Sequence, residues 1–72
     1  MTTITAKLVV YAEGDILFSD GYHKVFTGNV YGDTKGRWPD GRFIRTSPVV
    51  KVEGDLIYTE NSVYQMITEP PV

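Results

Sequence analysis

Seventy-two residues with seven lysines and arginines, nine acids, one histidine and no cysteine make a single small domain of net charge -2. The lack of cysteine excludes disulfides, cysteine-ligated zinc, iron–sulfur clusters and a thiol nucleophile, and so short a chain has one thin core with little room for a deep catalytic cleft. Apolar runs stop at three or four residues, too short to cross a bilayer, and the start Met-Thr-Thr-Ile-Thr-Ala-Lys lacks a signal peptide's basic and apolar regions, so the expected setting is a cytoplasm with no membrane partner.

Along the chain, Ile4, Ala6, Leu8, Val10 and Ala12 alternate with Thr3, Thr5, Lys7, Val9 and Tyr11, the period of two of a half-buried antiparallel strand. Glu13-Gly14-Asp15 predicts a tight hairpin, since Gly14 is free to take φ > 0, and Ile16-Leu17-Phe18 resumes the strand pattern. Ser19-Asp20-Gly21 predicts a second turn. From Tyr22 to Tyr31 aromatic and β-branched residues return, with Gly28-Asn29 marking either a bulge in one bent strand or a turn between two. Residues 32–42, with Gly32, Gly36, Gly41 and Pro39, form the main loop. Phe43 to Thr46 is the next strand, and Pro48, unable to donate to a ladder, marks its end, an edge or a bulge. Val49 to Val52, Leu56 to Thr59 and Val63 to Ile67 are expected as a three-stranded meander turning at Glu53-Gly54-Asp55 and Glu60-Asn61-Ser62.

No apolar pattern recurs at helical spacing, and turn signals arrive every eight to twelve residues. The expected fold class is therefore all-β: a single antiparallel meander of five or six short strands over residues 1–68, curled into a small barrel or half-barrel that hides its edges. Residues 69–72 are expected as an extended tail with nothing to bury. A flat three- or four-stranded sheet that dimerises through one face is the main alternative. Residues 10–20 and 50–60 share one recipe, Ala12-Glu13-Gly14-Asp15 against Val52-Glu53-Gly54-Asp55, which reads as two hairpins with the same acidic turn rather than as paired cation ligands.

Catalytic constellations are not found. His23 is the only histidine, Ser19, Ser47 and Ser62 sit in no nucleophile-elbow context, and phosphate-cradling loops need a helix that the pattern does not supply. His23 lies three residues after Asp20, close enough for the two to touch across a turn. The expectation is a chain that is not an enzyme and needs no metal or cofactor.

Charge is uneven along the sequence. Residues 35–51 hold Lys35, Arg37, Arg42, Arg45 and Lys51 against Asp40 alone, whereas the remaining segments are acidic. Trp38 and Phe43 are interleaved with the three arginines, and guanidinium beside a stackable ring suits an acidic protein surface or a single-stranded nucleic acid. The candidate partner-binding set is Tyr31, Lys35, Arg37, Trp38, Arg42, Phe43 and Arg45, with Tyr11, Tyr31 and Tyr58 as an adjoining exposed aromatic patch. The opposing interpretation makes Trp38 a core residue and matches the arginines to acids of the same chain. The acidic balance of the whole, with a pI near 5.1, favours a protein partner over nucleic acid.

The stretch from Gly36 to Met66 reads G-x-W-x-D-G-x-x-I-x-T-S, then V-V-x-V, then I-x-T-x-N-S-x-Y-x-M. It resembles a pattern in short, uncharacterised reading frames of bacteriophages and prophages, at Asp40-Gly41, Ile44, Thr46-Ser47, Thr59, Asn61-Ser62 and Tyr64. The resemblance implies a small accessory protein in the bacterial host cytoplasm that acts by occupying a host or phage protein, as inhibitors of defence systems and modulators of host enzymes do. The expected function is non-enzymatic binding and blocking of a host protein with an acidic surface, by a monomer or homodimer. The alternative is a small β-barrel that binds single-stranded nucleic acid.

Overall fold

A computed structural model of the chain describes residues 3–71; Met1, Thr2 and Val72, which fall in the expected domain and tail, lie outside the described residues. The strands are β1 (Ala6–Phe18), β2 (Gly21–Tyr31), β3 (Arg42–Arg45), β4 (Val49–Glu53), β5 (Leu56–Thr59) and β6 (Val63–Ile67). They form one sheet in the order β3-β2-β1-β6-β5-β4. The all-β class is as expected, but the single meander is not. Each half runs through three antiparallel neighbours, and the halves join by a parallel ladder that pairs Ala6 with Tyr64 and Val9 with Ile67. Thr5 starts that ladder: its amide donates to the Val63 carbonyl at 2.8 Å, and its hydroxyl accepts the Val63 amide at 3.1 Å.

The sheet curls without closing, which corrects the barrel expectation. A flat six-stranded sheet is about 24 Å from edge to edge, yet edge strands β3 and β4 are linked only by Thr46-Ser47-Pro48, which spans at most about 14 Å. The sheet must therefore bend round on itself. No ladder joins β3 to β4. Pro48 has no N–H to give, and Thr46 turns inward instead, where its amide donates to the Phe26 carbonyl and its hydroxyl accepts the Phe26 amide.

The concave face holds the core of Ala6, Leu8, Phe26, Val30, Ile44, Ile57 and Tyr64. Leu8, Val30 and Ile57 are fully buried, each stabilising the fold by about 1.5–3 kcal/mol relative to exposure. The loop from Gly32 to Gly41 plugs the end of the curl where β1 begins. Trp38 packs on the core there, the Thr34 amide and hydroxyl both donate to the Thr5 carbonyl, and Lys35 Nζ donates to the Asn61 carbonyl.

Two sequence expectations change in β1 and β2. Glu13-Gly14-Asp15 is not a hairpin: β1 runs straight through it, pairing Gly14 with Val25, and turns only at Ser19-Asp20. The same triplet at Glu53-Gly54-Asp55 does turn, with Gly54 at φ 61°. The Gly28-Asn29 ambiguity resolves as one strand. The irregularity lies opposite, on β1, where Val10 pairs with Gly28 and Ala12 with Thr27, leaving Tyr11 as the extra residue of a bulge. Beyond that bulge β1 and β2 project as a two-stranded arm, and the long axis of the molecule is 38 Å.

Candidate interaction surface

Strand alternation divides the seven residues singled out in the sequence. Arg42 pairs with Val30, whose side chain is buried inside the curl, so Arg42 lies on the inner side at the rim and is exposed. Phe43 pairs with Asn29 and Arg45 with Thr27, which places both on the convex outer face. Tyr31 pairs with Lys7 on that same face.

Lys35, Arg37 and Trp38 belong to the plug. The Asp33 side chain, fully covered, accepts the Arg37 amide at 2.8 Å and the Lys35 amide at 3.2 Å, and the Arg37 guanidinium reaches it at 3.3 Å. Burial opposes ionisation of Asp33, but the Arg37 guanidinium and the two amides outweigh it and hold the carboxyl below its usual pKa. Arg37 also donates to the Tyr64 hydroxyl at 3.5 Å and stacks 4.1 Å over the Trp38 ring. Asp33 orders the loop through Arg37 and the Lys35 amide, and Trp38 packs on the core.

The outer face of β1, β2 and β3 carries Lys7, Val9 and Tyr11, then Thr27, Asn29 and Tyr31, then Phe43 and Arg45. None of these strand positions is acidic. The bulge re-aims Tyr11, so that its ring meets Phe43 edge to face at 5.8 Å between centroids. Both rings remain in solvent, Tyr11 at 78% and Phe43 at 53% exposure. Lys7, Arg42 and Arg45 have no ion-pair partner among the described residues. Lys7 and Tyr31 line a cleft of about 400 Å³ together with Ile4, Thr34, Asp40, Gln65 and Pro71, so Asp40 is the one carboxylate in that cleft. Residues 69–71 of the tail are exposed. Lys7 was missed as a patch member because the charge count singled out residues 35–51. The signal was its alternation with Val9 and Tyr11 on one face.

Tyr58 lies farther round, beneath Lys51 at 4.6 Å from its ring. His23 and Asp20 do meet, at 2.7 Å, and the hydrogen bond from His23 lowers the Asp20 pKa. They stand at the exposed tip of the arm, with Phe18 against the imidazole. No group of three or more histidines, aspartates and glutamates fit to hold a metal occurs among the described residues, and no helix is long and apolar enough to cross a membrane.

The positions of the Gly36–Met66 sequence pattern serve turns and the core. Asp40 accepts the Gly32 amide, Thr59 bonds both the amide and the carbonyl of Ser62, and Ile44, Thr46, Ser62 and Tyr64 are buried. No protein-family model, curated protein or solved structure matches the chain.

Proposed function

We propose that the chain is a non-enzymatic binding module of phage type, which blocks or modulates a bacterial host protein by laying the outer face of β1–β2–β3 on an acidic surface. The observation that supports this is the Tyr11–Phe43 ring pair, more than half exposed and flanked by Arg45 and Lys7 with no carboxylate at the outward strand positions. Rings and arginine are the side chains that anchor protein interfaces, and cations without partners of their own steer an acidic partner to the face. A standard interface takes about 800 Å² from each partner, an area one sheet face can supply from a total accessible surface of 4751 Å².

The test compares wild-type chain with Phe43→Ala/Arg45→Glu as baits in a bacterial lysate, followed by titration of the retained protein in purified form. Affinity for that protein should fall at least tenfold in the variant; equal affinity rejects the reading. Single-stranded nucleic acid is the second reading, because exposed rings beside cations also stack bases. Anisotropy of a labelled oligothymidine at low salt separates the two: saturable binding lost in Phe43→Ala, with no protein retained, would establish the nucleic-acid reading instead.

A further inference from the structure

From the free edge of the arm we infer a second docking site: β1 between Val10 and Phe18 accepts a basic, extended segment of a partner as an added strand. β6 accompanies β1 only from Ala6 to Val9. It then bends away at Thr68, and Pro70 and Pro71 lack the N–H groups that would continue the ladder. Nine residues of β1 beyond that point have β2 on one side and, among the described residues, no strand on the other. Alternate residues of this length turn unpaired N–H and C=O groups outward, the template for strand addition.

The other edges are shorter: β3 has four residues, β4 five with a bulge at Val50, and the far edge of β2 in the arm five, from Gly21 to Val25, whereas β1 runs seven residues, Ala12 to Phe18, past its own bulge at Tyr11. Gly14 sits mid-strand with φ outside the positive range and open space where a side chain would be. Neither a turn nor a close neighbour within the chain requires glycine there, and a bare backbone in a strand suits the approach of another backbone. At the foot of the edge is a cleft of about 500 Å³ lined by Val10, Gly54, Asp55, Met66, Ile67 and Thr68.

Charge selects the occupant. Glu13, Asp15 and Leu17 share one face of β1, all exposed, and Asp55 stands in the cleft. The arm's lysine, Lys24, is 3.9 Å from Glu13. A second copy is disfavoured, because antiparallel self-pairing about Gly14 sets Glu13 opposite Asp15 of the other chain, and like charges across a ladder repel. A strand with two cations at alternate positions and an apolar residue two further on meets Glu13, Asp15 and Leu17 in turn. Leu17, 64% exposed, and Tyr22, 73% exposed and directly opposite it on β2, give that apolar residue a surface.

The probe is acetyl-Leu-Thr-Lys-Thr-Lys-Thr-Val-amide, titrated into the full ¹⁵N-labelled chain and followed by amide chemical shifts up to about 1 mM, the weak end of specific affinity. Saturable shifts should map to residues 10–18 and 66–68. Affinity should fall at least tenfold in Glu13→Lys/Asp15→Lys, with glutamate in place of both peptide lysines, and with a peptide N-methylated at alternate amides, which cannot complete the ladder. No saturable shift, shifts confined to β3, β4 or the outer face, or equal binding of the glutamate or N-methylated peptide would each overturn the proposal. Arg45→Glu, which tests the outer face, leaves this binding unchanged, so the two sites fail separately.

Discussion

A Cβ on Gly28 would stand 2.1 Å from the Val9 carbonyl oxygen and 2.9 Å from its carbon, both backbone atoms in the neighbouring strand. The β1–β2 ladder would have to part to admit it. Gly28→Ala should cost about 3 kcal/mol, the upper end for overpacking, a large part of the stability of so small a domain. Gly14→Ala meets open space and should gain about 0.5 kcal/mol through strand propensity and a less flexible unfolded chain. Urea midpoints of the two variants should move in opposite directions; a shared direction would refute the argument. Asp33 carries a prediction of another kind. Its folded pKa lies below the ordinary 3.8, so its ion pair and amide bonds contribute stability above that pH and lose it as pH falls below. Asp33→Asn should therefore cost about 2 kcal/mol at pH 7, and the cost should shrink as pH is lowered below 3.8 to 3. An equal loss at both values, by the same urea measurement, would show that the carboxylate's charge is not what orders the loop.

Within elements, the strands from Val49 onward were legible because each apolar run is bounded by its own turn residues. The first hairpin was not. Glu13-Gly14-Asp15 and Glu53-Gly54-Asp55 are the same three letters, and only the second turns. After Gly14 the strand pattern continues to Ser19-Asp20-Gly21, and turning there pairs β1 with β2 from Lys7 to Phe18 instead of a few residues. Local turn chemistry loses to the longer ladder. The division of Arg42 from Phe43 and Arg45 was implicit in the period of two, and a core Trp38 with arginines matched to acids of the chain was the opposing interpretation; which arginine this would be was not legible, since Arg37 is fixed by Asp33 within its own loop together with Tyr64 from β6. The arm's isolation is itself testable. Among the described residues its tip is held by the β1–β2 ladder, the His23–Asp20 hydrogen bond and the Phe18–His23 contact, so amides from Ile16 to His23 should exchange at least a hundredfold faster than those of Leu8 and Val30. Uniform protection along β1 in native-state hydrogen exchange would mean that the arm opens only with the whole domain.

At the level of the molecule, the curl has two candidate causes: the short Thr46-Ser47-Pro48 link, which forbids a flat sheet, and the core, which draws Val49 and Trp38 onto Leu8, Val30 and Ile57. Neither the parallel β1–β6 ladder nor this link announced itself in the sequence, because pairing between residues 58 apart leaves no local pattern. Circular permutation separates the two causes. Ile4 and Pro71 line one cleft, so a short linker in place of the residues beyond them can join these two positions without crossing the core. Two permutants carry that same linker, one opened at Ser19–Asp20 in the exposed arm turn and one at Ser47–Pro48. The first should keep its urea midpoint, because the turn it breaks lies outside the core. The second releases β4 from β3, so Val49 must find the core without a tether. The entropy of that closure should cost about 2 kcal/mol relative to the first permutant. If the two permutants are equally stable, apolar burial alone bends the sheet, and the link between the edges follows the curl instead of imposing it.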